Sequence, residues 1–269
     1  MSAERLGLTE VAERLGVHYM TAYRYVRTGR LAAERDGTQW VVLASELDHF
    51  DLGDLGATVS SERSVDRVSR LAERLLDGDE NGAWTIAQEY LAGGASPTQL
   101  YQGLFTPAMH VIGERWQRGE VGVADEHRAS VVMSRLVGRS GPLFRSRGTR
   151  NGTIVVGAPA GEMHGLATSF AADILRARRF DVVDLGANVP TDSFVTCVLG
   201  TNRLIGVVIS VVTQESRKGA AELIRALRRA KVSVPLFLGG AGVDDVSAHE
   251  MGADHWAPDV SAVASKLDD

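Results

Sequence analysis

One cysteine, Cys197, stands in 269 residues. A lone cysteine excludes a disulfide framework and any Cys-x-x-Cys metal site. No apolar run is long enough to cross a bilayer, and the start, Met1-Ser-Ala-Glu-Arg5, lacks an apolar signal-peptide core. A cytoplasmic protein with no membrane partner is expected. The charge is near balance, at −5 net, which argues against a surface that coats nucleic acid throughout and leaves room for a local basic element. No G-x-G-x-x-G dinucleotide fingerprint opens a helix. No nucleophile–base pair or acid pair suggests turnover chemistry, so a non-enzyme is expected.

What is present is ordinary for a globular chain: 44% hydrophobic and 23% charged residues. The length suits about two domains with a small third. Residues 1–52 read as a winged helix-turn-helix. Thr9 to Leu15 predicts a short helix with Thr9 as N-cap and Val11, Ala12 and Leu15 on one face. Gly16-Val17 is the turn, and a second helix runs from about His18 to Arg27, stopped by Gly29. Leu31 to Glu34 and Gln39 to Leu43 flank Asp36-Gly37 as a hairpin, which would be the wing. Arg24, Arg27, Arg30 and Arg35 stand there against Glu34 alone. With Tyr23, these arginines are the candidate contacts to phosphates and base edges. A protein-docking domain with a basic face is the plainer alternative.

Residues 53–63 mix Gly, Ser and charge and read as a linker. Over 64–148 the apolar spacing predicts four helices and no strand. Val65, Val68, Leu71, Ala72 and Leu75 form one stripe, and Trp84, Ala87 and Leu91 another. Ser96-Pro97 starts a third helix that carries Leu100, Leu104, Met109, Ile112 and Trp116. Trp116 ends that helix, and Glu126-His127 fall in the first turns of the fourth, so the three project from one end of the bundle. Singly, each reads as core or as a satisfied helical side chain.

From 149 to 269, strand-like and helix-like runs alternate regularly. Strands are expected at Thr153–Val156, Asp181–Leu185, Leu204–Ser210, Val234–Leu238 and Asp254–Trp256, which implies a parallel α/β sheet of flavodoxin-like, Rossmann-like order with its site at the switch point. The loop after the first strand carries Glu162, His164 and Gly165. A loop histidine with a carboxylate two residues before it can present an imidazole nitrogen to a metal. The third strand ends at Ser210, followed by Val211 and Val212. The fourth ends in Gly239-Gly240, where small residues permit close approach of a flat ligand.

Two resemblances follow from these residues. Residues 8–31 resemble the winged-helix domain of MerR and excisionase-type regulators. Glu162-Met-His164, Ser210-Val-Val212 and Gly239-Gly240 resemble the D/E-x-H-x-x-G, S-x-L and G-G signature of cobalamin-binding domains, with Ala167 and Val212 where the family has Gly and often Leu. With the bundle and the Trp116-x9-Glu126-His127 spacing, the whole chain resembles a CarH-type, cobalamin-dependent photoreceptor and transcription regulator.

The resemblance implies a light-responsive repressor that binds adenosylcobalamin, with cobalt held from below by His164 and Glu162 flanking it. Ser210, Gly239 and Gly240 would line the cleft for the nucleotide tail. Trp116, Glu126 and His127 would sit at the upper, adenosyl face. A dark homo-tetramer on operator DNA, dismantled by light, is the implied assembly. Gln117 stands where light-locked members commonly have a histidine, so the usual bis-histidine photoproduct is not expected; a water-ligated product, or one in which His127 or His110 moves in, is the alternative. The alternatives are a corrinoid methyl carrier, which has no need of residues 1–52, and a cobalamin sensor without light function or with a second chromophore such as a bilin.

Overall fold

The computed structural model describes residues 5–14, 26, 31–36, 39–48, 59–146 and 148–268. The chain divides into two compact units, Met1–Asp66 and Arg67–Asp269.

In the first unit, β1 (Arg5–Gly7), β2 (Glu34–Asp36) and β3 (Gln39–Leu43) form an antiparallel sheet in the order β1-β3-β2. Helix α1 (Leu8–Arg14) follows β1 directly, and α2 (Ala44–Asp48) follows β3. Leu6, Leu8, Val11, Ala12, Val26, Leu31 and Val42 form the core. Several sequence expectations shift here. Thr9 is not an N-cap: α1 already begins at Leu8, and the Glu10 carboxylate accepts from the Gly7 amide at 2.9 Å. The hairpin pairs Asp36 with Gln39, so its connection is residues 37–38 rather than Asp36-Gly37, and its first strand starts at Glu34 rather than Leu31. Strand β1 and helix α2 were not expected, because three to five residues carry too little period to read. The predicted second helix, with Tyr23, Arg24 and Arg27, lies outside the described residues apart from Val26, and so does Arg30 beyond its end.

The predicted linker at 53–63 is helical from Val59 onward, where α3 (Val59–Asp77) begins. Three further helices complete the bundle. They are α4 (Glu80–Ala92), a third labelled α5, and α6 (Val123–Ser140). Helix α5 is α-helical over Pro97–Leu100, π-helical over Tyr101–Phe105 and α-helical over Thr106–Gln117. Ser96 and Gln99 close a capping box at its start, as the Ser-Pro pair suggests. The π-turn was not foreseen, and Pro107 explains it. Proline has no amide hydrogen, and its ring collides with the carbonyl four residues back, so the helix takes up an extra residue just before it. Leu71, Leu75, Ile86, Leu104, Ile112, Met133 and Leu136 are among the buried side chains of the bundle.

The α/β domain contains β4 (Thr153–Gly157), α7 (Leu166–Ala177), β5 (Asp181–Asp184), α8 (Thr191–Gly200) and β6 (Leu204–Ser210). It continues with α9 (Arg217–Arg229), β7 (Leu236–Gly239), α10 (Asp245–Glu250), β8 (His255–Ala257) and α11 (Val260–Asp268). The strands pair in parallel in the order β5-β4-β6-β7-β8, the flavodoxin-like order expected from the alternation. Strand side chains alternate between two buried faces. Val155, Val207, Ile209 and Leu238 pack with α8 and α9. Ile154, Val156, Val208 and Phe237 pack with α7 and α11. Both faces are covered, which is why these runs read as continuously apolar.

Helix α7 joins the two domains of this unit. Leu175 faces the sheet side. Leu166, Phe170, Ile174 and Ala177, at helical spacing on another face, pack into the bundle core. The chain thus passes from the loop that carries His164 straight into the helix on which the bundle rests.

Candidate functional site

The order β5-β4-β6 puts the switch point between β4 and β6, since their following helices lie on opposite faces of the sheet. Glu162, in the loop after β4, is wholly buried there (0% exposed). Its Oε2 accepts from the amides of Val212 (2.8 Å) and Thr213 (3.0 Å), both in the loop after β6. Its Oε1 accepts from the backbone amide (3.0 Å) and the Nδ1 (2.6 Å) of His164. Burial alone would raise the pKa of this carboxyl. The hydrogen bonds from His164, Thr213 and Val212 outweigh it and hold the pKa at about 2.

That ionisation fixes the histidine. An ionised carboxylate only accepts, so His164 Nδ1 carries the proton and donates. In the neutral ring the lone pair is then on Nε2, and the side chain is half-exposed (53%). A carboxylate behind Nδ1, orienting the ring and raising the basicity of Nε2, is how proteins prepare an imidazole for a metal. Met163, the residue before His164 in the chain, is 69% exposed.

The loop itself is pinned on three sides. Gly161 takes φ +90°, and its amide donates to Asn188 Oδ1 at 2.9 Å. The Asn188 amide returns a bond to the Glu162 carbonyl at 2.8 Å. Thr213 and Ser216 share a hydroxyl bond of 2.8 Å beneath Glu162. A side chain at Gly219, on α9, would lie 2.4 Å from the Ala160 carbonyl, so α9 sits directly against the loop.

Ser210 ends β6 in register with Gly239 at the end of β7. It is nearly buried, and its hydroxyl makes no hydrogen bond among the described residues. The two glycines are crowded by neighbouring backbone. A Cβ at Gly239 would meet the Ala257 carbonyl at 2.6 Å, and one at Gly240 (φ +114°) the Val211 carbonyl at 2.3 Å. The close approach they permit is therefore of one strand-end loop to the next. Gly165 precedes α7 and its carbonyl accepts from Thr168 Oγ1 at 2.7 Å.

Trp116 (48% exposed) lies in the last turn of α5, and Glu126 and His127 in the first turns of α6. All three are thus brought to the α5–α6 connection, as the spacing predicted. Glu126 accepts from Ser130 Oγ at 2.8 Å and contacts His127 Nδ1 at 2.9 Å, and the His127 ring is 75% exposed. Gln117 and His110 are exposed on the same helix. Arg35, the one described member of the DNA-contact set, stacks its guanidinium over Trp40 at 5.1 Å.

Comparison with known proteins shows what this scaffold is similar to. Residues 68–139 and residues 152–264 each match a family of B12 binding domain. Both stretches are thus similar to B12-binding domains. Residues 5–50 match a helix-turn-helix domain. Over 205 residues the chain is 27% identical to trimethylamine corrinoid protein 1 of Methanosarcina acetivorans, covering 74% of this chain and 94% of that one. Over 209 residues it is 23% identical to a corrinoid protein of Desulfitobacterium hafniense, covering 74% and 96%. In fold it is similar to the monomethylamine corrinoid protein of Methanosarcina barkeri, with TM-score 0.67 and 22% identity over 76% of this chain and 99% of that one.

The residues fit a corrinoid. Among the described residues, no group of three or more His, Cys, Asp or Glu side chains could hold a metal ion. A single prepared imidazole suits a metal that arrives with its own ring of ligands, as a corrin cobalt does. His164 would hold the cobalt through its imidazole nitrogen, and the corrinoid would supply the cobalt chemistry.

Sequence reasoning found Glu162, His164 and Val212 but not Thr213, Ser216, Asn188 or Gly219. Thr213 follows the Ser-Val-Val run directly and Ser216 precedes α9, so their position after β6 was the available signal. Asn188 and Gly219 show their role only through contacts 25 or more residues away.

Proposed function

We propose that this chain is a corrinoid-dependent, DNA-binding regulator. Its two B12-binding domains hold the cofactor with His164 as lower cobalt ligand, and the head at residues 5–50 reports the cofactor's state to operator DNA. The observation that carries the reading is the Glu162–His164 pair, which leaves Nε2 free in a chain that also matches a helix-turn-helix domain. Glu162 keeps the imidazole in one tautomer and one orientation. Ser210 offers a hydroxyl to the nucleotide tail, and Trp116 a flat apolar face to an upper ligand.

The finer form of the reading is a light-responsive repressor, tetrameric in the dark, with adenosylcobalamin as chromophore. It rests on the Trp116-x9-Glu126-His127 spacing, and the bound cofactor would supply a photolabile cobalt–carbon bond. Gln117 favours a photoproduct without two histidines on cobalt. A second reading, a corrinoid carrier for methyl transfer, is favoured by the names of the relatives. For the two B12-binding domains taken alone the relatives support it better than light-responsive regulation does. A carrier, however, makes no use of residues 5–50.

Size-exclusion chromatography and gel-shift on fragments of the upstream DNA separate these readings. The purified chain is compared without cofactor, with adenosylcobalamin and with methylcobalamin, in the dark and after green light. Cofactor-dependent DNA binding is expected, and a change of size and DNA affinity on illumination supports the photoreceptor form. Cofactor binding with no effect on DNA under any condition supports the carrier. No bound corrinoid overturns both.

A further inference from the structure

Tyr101 and Asp173 join the bundle to the α/β domain away from the cofactor residues. Tyr101 is wholly buried in the π-turn of α5, and its hydroxyl donates to Asp173 Oδ2 at 2.9 Å. Asp173 is buried on α7, and its other oxygen accepts from Arg176 Nη1 at 2.8 Å. Phe144 and Phe170 enclose the phenol, with ring centroids at 4.5 and 4.8 Å. Burial, then the charge and hydrogen bond of Asp173, raise the phenol's pKa well above its usual value, with Ser140 and Arg176 acting the other way. Tyr101 is therefore the fixed donor.

Three facts make this contact more than packing. The π-turn exists because Pro107 interrupts the helix, and an extra residue turns the face of Tyr101 by about 100° relative to the segment beyond it. That segment, Thr106–Gln117, carries Trp116 in its last turn. Helix α7 begins two residues after His164. One buried hydrogen bond therefore ties together the two helices whose ends carry the upper-face and lower-face residues.

We propose that Tyr101 and Asp173 form a positioning latch, setting the end of α5 that bears Trp116 against the loop that bears His164 and so governing how tightly the helical domain closes over a bound corrinoid. This rests on the corrinoid reading of the site. Without the Tyr101 hydroxyl, Asp173 Oδ2 loses its buried donor while Oδ1 keeps Arg176, so part of the carboxylate's desolvation cost is left unmatched and the closed arrangement loses some of its advantage over an open one. Neither residue touches the cofactor positions, which makes them positioning residues.

The test uses the full chain and Tyr101→Phe, which keeps the ring packing. Hydrogen exchange is followed in the cofactor-free and hydroxocobalamin-loaded protein, together with hydroxocobalamin release and the nitrogen splitting in the spin-resonance spectrum of the reduced Co(II) form. In Tyr101→Phe, exchange over 106–127 and 164–170 and the release rate should each rise roughly tenfold, the scale of one hydrogen bond to a charged acceptor. The nitrogen splitting from His164 should persist. Asp173→Asn, which keeps an acceptor, should give a smaller rise, and it carries the test if Tyr101→Phe does not fold. A lower melting temperature with wild-type exchange and wild-type release overturns the latch. If the wild type binds no hydroxocobalamin, the corrinoid reading fails, while exchange in the cofactor-free chain still decides the latch.

Discussion

The residues expected on the two faces of the corrinoid are built in opposite ways. Below, Glu162 is buried, ionised, and held by donors from two loops, and His164 has one tautomer and one free nitrogen. Above, Trp116 and His127 are exposed, and Glu126 reaches, among the described residues, only its helix neighbours. The residues expected below are held in place by bonds from two loops of the fold, whereas Glu126 and His127 above are held by bonds within one helix. On the proposed reading, ligand preference and any response to light would be decided above, and cofactor retention below.

The sharpest way to break this contrast is His164→Ala. It should abolish the nitrogen splitting in the spin-resonance spectrum of the Co(II) protein, whereas His127→Ala should leave it intact. A splitting that survives in His164→Ala moves the lower ligand elsewhere. Glu162→Gln should weaken hydroxocobalamin binding by roughly 10- to 100-fold, the usual scale for a residue that orients a metal-binding histidine. Isothermal titration reads it.

Next in size is Gly240→Ala. A side chain there meets the Val211 carbonyl and strains a positive φ, so unfolding free energy should fall by about 1–3 kcal/mol by chemical denaturation. Acid should act on the lower face too. The Glu162 pKa is about 2 in the fold and about 4.3 in an unfolded chain. A depressed carboxylate stabilises the fold above its unfolded value, and that contribution disappears as pH falls from about 4.3 to about 2. Denaturation of the cofactor-free chain across this window should be shallower in Glu162→Gln. Smallest is Trp116→Ala, expected to change the stability of the cofactor-free protein by no more than about 0.5 kcal/mol, because the ring is exposed. It should nevertheless lower the affinity for adenosylcobalamin more than for hydroxocobalamin. Equal losses would deny Trp116 its place at the upper ligand.

The parallel sheet and its order were legible because strands buried on both faces must be apolar throughout, and helices must separate them. Leu204–Ser210 came out residue for residue, while β7 begins only after Pro235, at Leu236. Ser96-Pro97 marked the start of α5 because capping is a local bond between near neighbours. Short β1 and α2 carried no readable period, and the hairpin slipped by one residue at Asp36 because cross-strand pairing is not written in either strand alone.

By itself, then, the sequence determined the layered α/β architecture, the helical domain before it, and the presence of a histidine two residues after a glutamate at a strand-end loop. Each depends on spacing within one stretch of chain. Only the tertiary structure decided that Glu162 is the anchor of the site. Its donors, Val212 and Thr213, lie 50 and 51 residues away, and no local pattern brings them to its second oxygen. The same holds for Gly239 and Gly240, which are required by neighbouring backbone, and for Tyr101, whose partner is 72 residues distant. Local bonds follow from spacing, whereas a buried polar group takes its partner from whichever element the packing brings to it.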